Sequence, residues 1–87
     1  MTINEYEFRF VNSGAETLIL VLEPWAEEFA VEVKSEILIH IRSRFACKLE
    51  AEIMESRILV WAWSGCTATV AIQGIDVTPI SLSLECP

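Results

Sequence analysis

Hydrophobic and polar residues alternate with a period of two along much of the chain. In the segment Glu5 to Val11, aromatic residues fall on one side and charged residues on the other. The same alternation recurs in Glu36 to Arg42, where isoleucines fill one face, and in Lys48 to Met54. Because successive side chains of a β-strand point to opposite faces, this period predicts strands with one buried face.

Other apolar segments, rich in β-branched and aliphatic residues, also predict strands. Arg57 to Trp63 is apolar on both faces, which is typical of a strand in the middle of a sheet. The tail, Ile80 to Leu84, is expected either to form an eighth strand or to pair with a partner as an arm. The remaining predicted strands are Glu16 to Leu22, Phe29 to Val33 and Cys66 to Gln73.

These strands recur at intervals of about ten residues with turn residues between them, a pattern typical of all-β proteins. We predict one domain, residues 1–87, forming an antiparallel β-sandwich of seven or eight strands with immunoglobulin-like or cupredoxin-like architecture. The turn residues Asn12-Ser13-Gly14-Ala15 predict a hairpin between the first two strands. The predicted core consists of Phe8, Phe10, Leu18, Leu20, Leu22, Ile37, Ile39, Ile41, Leu49, Ile53, Ile58 and Val60.

An acidic corner, Glu23 to Glu28, interrupts the alternation in the N-terminal half. Pro24 cannot donate a ladder hydrogen bond, so the preceding strand should end at Glu23. A proline followed by acidic residues also suits the first turn of a helix, but the period of two resumes at Phe29. A non-helical corner is therefore predicted.

Charge and composition narrow the partners that we expect. The formal net charge of −7 disfavours nucleic acid and anionic membrane surfaces, and the longest apolar run is far too short for a membrane helix. Hydrophobic residues make up 53% of this short chain, which favours self-association. The first residues lack the pattern of a signal peptide, and Cys47, Cys66 and Cys86 lack paired spacing, so we expect reduced thiols in the cytoplasm.

No recognised catalytic, metal-binding or cofactor-binding motif with its usual spacing occurs in the sequence. His40 is the only histidine and is expected on the face opposite the isoleucines, without convergent partners. Cys47 lies between Arg44 and Lys48, which would favour its thiolate, but the ordinary interpretation of all three cysteines is apolar filling or an exposed tail.

Tryptophans supply the candidate binding residues. Trp61 and Trp63 are predicted on the same face of one strand, where they either pack in the core or form a surface for self-association, a partner or a small ligand. Trp25, Glu27 and Glu28 at the corner are a second candidate, for a small ligand or a metal.

The stretch Leu22-Glu23-Pro24-Trp25-Ala26-Glu27-Glu28, together with Asn12-Ser13-Gly14 before it, resembles a group of small, functionally uncharacterised bacterial all-β proteins. The likeness is best in the N-terminal half and thin around Trp61 to Gly65. That group usually has a Pro-Pro-Gly-like turn after the corner, where this chain has Val33-Lys34-Ser35. The resemblance implies a bacterial, cytoplasmic, all-β protein and no particular functional residue.

The sequence therefore favours a non-enzymatic module that binds a protein partner or forms a homo-oligomer, with a homodimer as the first expectation. The alternative is a small-ligand or metal-binding domain that uses Trp25, Glu27 and Glu28 at the corner.

Overall fold

Strands dominate the fold, as the period of two predicts. In a computed structural model, which describes residues 3–46 and 48–85, eight β-strands and one short 3₁₀ helix are formed. The all-β prediction is confirmed, and no helix in the described residues is long and apolar enough to cross a membrane. The elements are β1 (Asn4–Val11), β2 (Leu18–Glu23), β3 (Glu27–Val31), β4 (Glu36–Ser43), β5 (Glu50–Ile53), β6 (Arg57–Trp61), β7 (Cys66–Ile72), β8 (Ile75–Asp76) and the 3₁₀ helix (Ile80–Ser83).

The strands form two sheets of four. Sheet 1 has the order β1-β4-β7-β8, and sheet 2 has the order β3-β2-β6-β5. All neighbouring strands are antiparallel except β2 and β6, which run parallel, so the prediction of purely antiparallel pairing is wrong. The chain passes through sheet 1 between these two strands, and such a crossover connection is what parallel pairing requires.

The predicted hairpin between the first two strands is also wrong. β1 pairs with β4 along its whole length, from Asn4 opposite Ser43 to Val11 opposite Glu36. β2 instead pairs with β3 and β6 in sheet 2. The turn residues after β1 therefore carry the chain from one sheet to the other.

Asn12 holds this crossing in place. Its side-chain amide donates hydrogen bonds of 2.9 Å to the carbonyl oxygens of Glu16 and Val31. Its side-chain oxygen accepts a 3.0 Å bond from the backbone N–H of Gly14. Asn12 is fully buried, and these bonds satisfy its side chain while they link the end of β1, the crossing and the end of β3.

Both sheets contribute to one hydrophobic core. Seven predicted core residues are buried: Leu20, Leu22, Ile37, Ile39, Ile41, Ile58 and Val60. Four others are half-buried against that core: Phe8, Phe10, Leu18 and Leu49. The core also contains residues that the prediction omitted: Phe29, Val31, Cys66, Ala68, Val70 and Leu82.

Ile53 is the predicted core residue that the structure places in water. It lies opposite Ile58 in the register, but its residue surface is 68% exposed. All four residues of β5, an edge strand of sheet 2, are exposed, whereas β3 at the other edge buries Phe29 and Val31. Alternation in the sequence predicts which side chains of a strand share a face, but it does not predict where the strand lies in the sheet.

The C-terminal segment forms the 3₁₀ helix and not the predicted strand. Leu82 is fully buried in the core, whereas the alternating neighbours Ile80 and Leu84 are exposed. The eighth strand lies earlier, at Ile75–Asp76, where the chain turns back against β7. The segment thus contributes one core side chain without extending either sheet.

Truncation of Ile39 should destabilise the protein much more than the same truncation of Ile53. Ile39→Ala removes buried methyl groups from the core, and we expect the free energy of unfolding to fall by about 2–5 kcal/mol. Ile53→Ala should change it by less than about 0.5 kcal/mol. Urea denaturation of both variants measures the difference, and equal losses would contradict the placement of β5.

Substitution of Asn12 tests the crossing between the sheets. Asn12→Ala leaves the buried carbonyl of Val31 without its side-chain donor, so we expect a loss of about 1–3 kcal/mol in the free energy of unfolding. Asn12→Asp should cost more, because a carboxylate cannot donate to two carbonyl oxygens. Ser13→Ala, at an exposed neighbour, is the control, and a loss equal to that of Asn12→Ala would refute this role for the amide.

Candidate interaction surface

The acidic corner is a turn, as predicted, and not a helix. β2 ends at Glu23, and the turn holds Trp25 half-buried against the core. Glu27 accepts a 2.7 Å hydrogen bond from the Ser81 hydroxyl, which ties the corner to the 3₁₀ helix. Glu28 is exposed on the opposite face of β3. The structure therefore does not bring the two corner carboxylates together.

The two tryptophans of the C-terminal half are also separated. Trp63, beyond the end of β6, packs against the core, and its ring is perpendicular to that of Tyr6 at a centroid distance of 5.0 Å. Its indole N–H donates a 3.0 Å bond to the hydroxyl of Ser43, the buried last residue of β4. Trp61, the last residue of β6, is 43% exposed. The strand ends between the two, so the period of two no longer applies at Trp63.

Trp61 belongs to an apolar stripe on the outer face of sheet 2. The parallel register places Val21 beside Leu59 and Glu23 beside Trp61. Ile19 is two residues before Val21 and shares its face. Ile19 and Leu59 are half-buried, while Val21 is covered by its neighbours on the sheet. We define the apolar stripe as Ile19, Val21, Leu59 and Trp61; none of them belongs to the core cluster.

Carboxylates surround the stripe on the same face. Glu28 of β3 lies opposite Val21. On the other side, β5 places Glu52 opposite Leu59 and Glu50 opposite Trp61. We call Glu23, Glu28, Glu50 and Glu52 the carboxylate rim. Arg57 is the basic residue of these strands on this face, beside Ile19.

The carboxylate rim is not neutralised by ion pairs within the described part of the chain. The four ion pairs found there involve β1, β4 or the residues that follow β4, and include His40 with Glu5 at 3.1 Å and Arg9 with Glu36 at 3.9 Å. Because the rim surrounds half-exposed apolar side chains, its charges act on whatever approaches the stripe.

Among the residues described, the outer face of sheet 1 carries three ion pairs. His40 lies on the outer face of sheet 1, as predicted, next to Glu5. Asp76 ends β8. The hydroxyl and backbone N–H of Thr78, two residues later, donate hydrogen bonds to the Asp76 carboxylate and hold its pKa below the usual value. Charged side chains on sheet 1 thus form ion pairs, whereas the carboxylate rim on sheet 2 has none within the described residues.

Metal ligands do not converge in the described residues. Within residues 3–46 and 48–85, no group of three or more His, Cys, Asp or Glu side chains is placed to hold a metal ion. Cys66 is buried in the core, and Cys47 and Cys86 lie outside the described residues. The expectations for those two cysteines stay predictions.

The sequence identified Trp61 and Glu28 as candidate binding residues, but it did not show that both lie on the outer face of sheet 2. Ile19, Val21 and Leu59 were missed because their grouping depends on the pairing of β2 with β6. One signal in the sequence could have identified these residues. Both β2 and β6 carry apolar residues on both faces, although only one face of each strand lies in the core.

Comparison of the chain with known protein families, curated proteins and solved structures found no match.

Charged quenchers of tryptophan fluorescence should detect the carboxylate rim. Trp61 lies beside Glu23 and Glu50, so its emission, normalised to that of free N-acetyltryptophanamide with each quencher, should be quenched more strongly by Cs⁺ than by iodide at equal ionic strength. The Trp61 signal is the difference between the protein and Trp61→Phe. In Glu23→Gln/Glu50→Gln the preference for Cs⁺ should shrink at least twofold, and in Glu5→Gln/Glu7→Gln, on sheet 1, it should not. No preference in the unsubstituted protein would contradict the charge distribution.

Proposed function

We propose that the protein is a non-enzymatic interaction module of the bacterial cytoplasm and that it binds a protein partner through the apolar stripe. The observation that carries the proposal is the exposure of Trp61 next to Leu59 on a sheet face whose charges have no partner within the described residues. Tryptophan is enriched among the residues that contribute most to binding.

The composition of the outer face supports this function. A solvated face of a two-layer protein ordinarily carries polar residues at alternate positions, as β1 does with Glu5, Glu7 and Arg9. The stripe replaces them with aliphatic and aromatic side chains on the two central strands of sheet 2. An apolar centre with a polar rim is the usual anatomy of a binding interface.

The sheet edges support binding less well than the face. β5 is only four residues long and two of them are glutamates, features that oppose addition of another strand. β3, at the other edge, is five residues long and begins with Glu27 and Glu28. We therefore place the partner on the face of sheet 2 and not at its edge.

For the fold, we propose a β-sandwich of immunoglobulin-like or cupredoxin-like type. Two four-stranded sheets that share one core support the sandwich. The parallel β2–β6 pair favours the cupredoxin-like alternative over an immunoglobulin domain with two purely antiparallel sheets.

Photo-crosslinking from position 61 tests the proposed surface. Benzoylphenylalanine at Trp61 should give a light-dependent adduct in cells of the organism that encodes the chain. The matched control is benzoylphenylalanine at Thr69, which is exposed on the outer face of sheet 1. Leu59→Lys in the position-61 protein should abolish the adduct, because a cation enters the stripe, while the thermal midpoint remains within a few degrees.

The outcome separates binding at the stripe from incidental collision. An adduct that forms equally from positions 61 and 69, or that survives Leu59→Lys, would refute the proposal. The mass of a specific adduct shows whether the partner is a second copy or a different chain.

A further inference from the structure

The partner's chemistry can be inferred from the charges around the stripe. Glu28 lies on the β3 side of the stripe, and Glu50 and Glu52 lie on the β5 side. Glu23 lies at the end near Trp61. An apolar surface with carboxylates on both sides is complementary to an apolar surface with cations on both sides.

We propose that the apolar stripe binds a basic amphipathic helix of another protein, with Lys or Arg residues on both flanks of its apolar face. This inference rests on the proposed function and specifies the partner at the same surface.

A second copy of the chain is the less suitable occupant. Face-to-face pairing would bring the four rim carboxylates of one copy against the same four of the other, with only Arg57 of each to offset them. Like charges placed against each other across an interface are unfavourable. The net charge of −7 adds to the repulsion.

A helix suits the face of a sheet better than an extended peptide does. The backbone groups of the central strands β2 and β6 are used in pairing on both sides, so none are available to an added strand. An extended segment lying over the stripe would leave its own polar backbone groups against apolar side chains. A helix satisfies these groups internally and offers one apolar face.

The width of the rim also fits a helix. Glu28 and Glu52 are in the same row across the four strands, so their backbones are separated by roughly three strand spacings, about 14 Å. A helix with its side chains is about 10–12 Å across. Lys or Arg side chains on both flanks of such a helix therefore reach the carboxylates while the apolar face contacts Leu59 and Trp61.

Three synthetic peptides of about 18 residues test the proposal. The first is an amphipathic helix with leucine on one face and lysine on its flanks. The second has glutamate in place of every lysine, and the third has the composition of the first in scrambled order. We expect the first to bind with a dissociation constant at least tenfold lower than the others. Amide chemical shifts should change at Ile19, Leu59 and Trp61.

Charge reversals at matched sites provide the control. Glu28→Lys/Glu52→Lys should weaken binding of the first peptide at least tenfold, because both sides of the rim then repel it. Glu5→Lys/Glu7→Lys makes the same change in net charge at exposed positions on the outer face of sheet 1 and should weaken binding less than threefold. Raising the salt concentration from about 0.05 M to about 0.5 M should weaken binding several-fold, since exposed charges are screened.

The outcomes distinguish this inference from the proposed function. Failure of the lysine peptide to bind at millimolar concentration, or equal binding by the two double variants, would overturn the basic helix. A specific adduct from position 61 would still support the interaction surface in that case. Sedimentation that shows a dimer dissociated by Leu59→Lys would make a second copy the occupant and would also overturn the inference. Absence of both peptide binding and the adduct would refute both proposals.

Discussion

The parallel pairing of β2 with β6 is the interaction on which both faces of sheet 2 depend. Its register aligns Leu20 with Ile58 and Leu22 with Val60 on the inner face, where these residues form the core. The same register aligns Val21 with Leu59 on the outer face. Backbone hydrogen bonds continue the pairing past both ends of β6, from the Ile19 N–H to the Ser56 carbonyl and from the Ala62 N–H to the Glu23 carbonyl. A shift by one residue would exchange core and surface, so packing of the core fixes the arrangement of the stripe.

Contacts at the two ends of the sheets keep these strands in place. At one end, Asn12 links the crossing after β1 to the end of β3. At the other, the Ser43 hydroxyl accepts bonds from the Trp63 indole and from the backbone N–H of Phe45. The two contacts satisfy buried polar groups where the chain leaves a sheet, which is where ladder hydrogen bonds are lost. Trp63 thus stabilises the fold, while Trp61 remains at the surface.

Sequence patterns correctly predicted features that depend on neighbouring residues. They failed for features that depend on pairing between strands distant in the sequence. Alternation in β4 identified Ile37, Ile39 and Ile41 as core, and Pro24 correctly marked the end of β2. Alternation in β5 identified Ile53 as core by the same reasoning, yet the whole of β5 lies outside the core and Ile53 is exposed. The turn residues after β1 predicted a reversal of the chain but not which sheet the next strand would join. Single-sequence periodicity carries no information about that choice.

The candidate surface shows the same limit more strongly. Trp61 was identifiable as a binding candidate from its residue type, but its neighbours Ile19 and Val21 are about 40 positions away in sequence and reach it only through the parallel register. The rim carboxylates are likewise divided between the corner and β5. A net charge of −7 suggested only that anionic partners are disfavoured. The fold distributes that charge unevenly. Ion pairs neutralise part of the outer face of sheet 1, whereas carboxylates that are unpaired within the described residues lie around the apolar residues of sheet 2. Local arrangement of charge, and not its total, therefore determines the kind of partner that this surface favours.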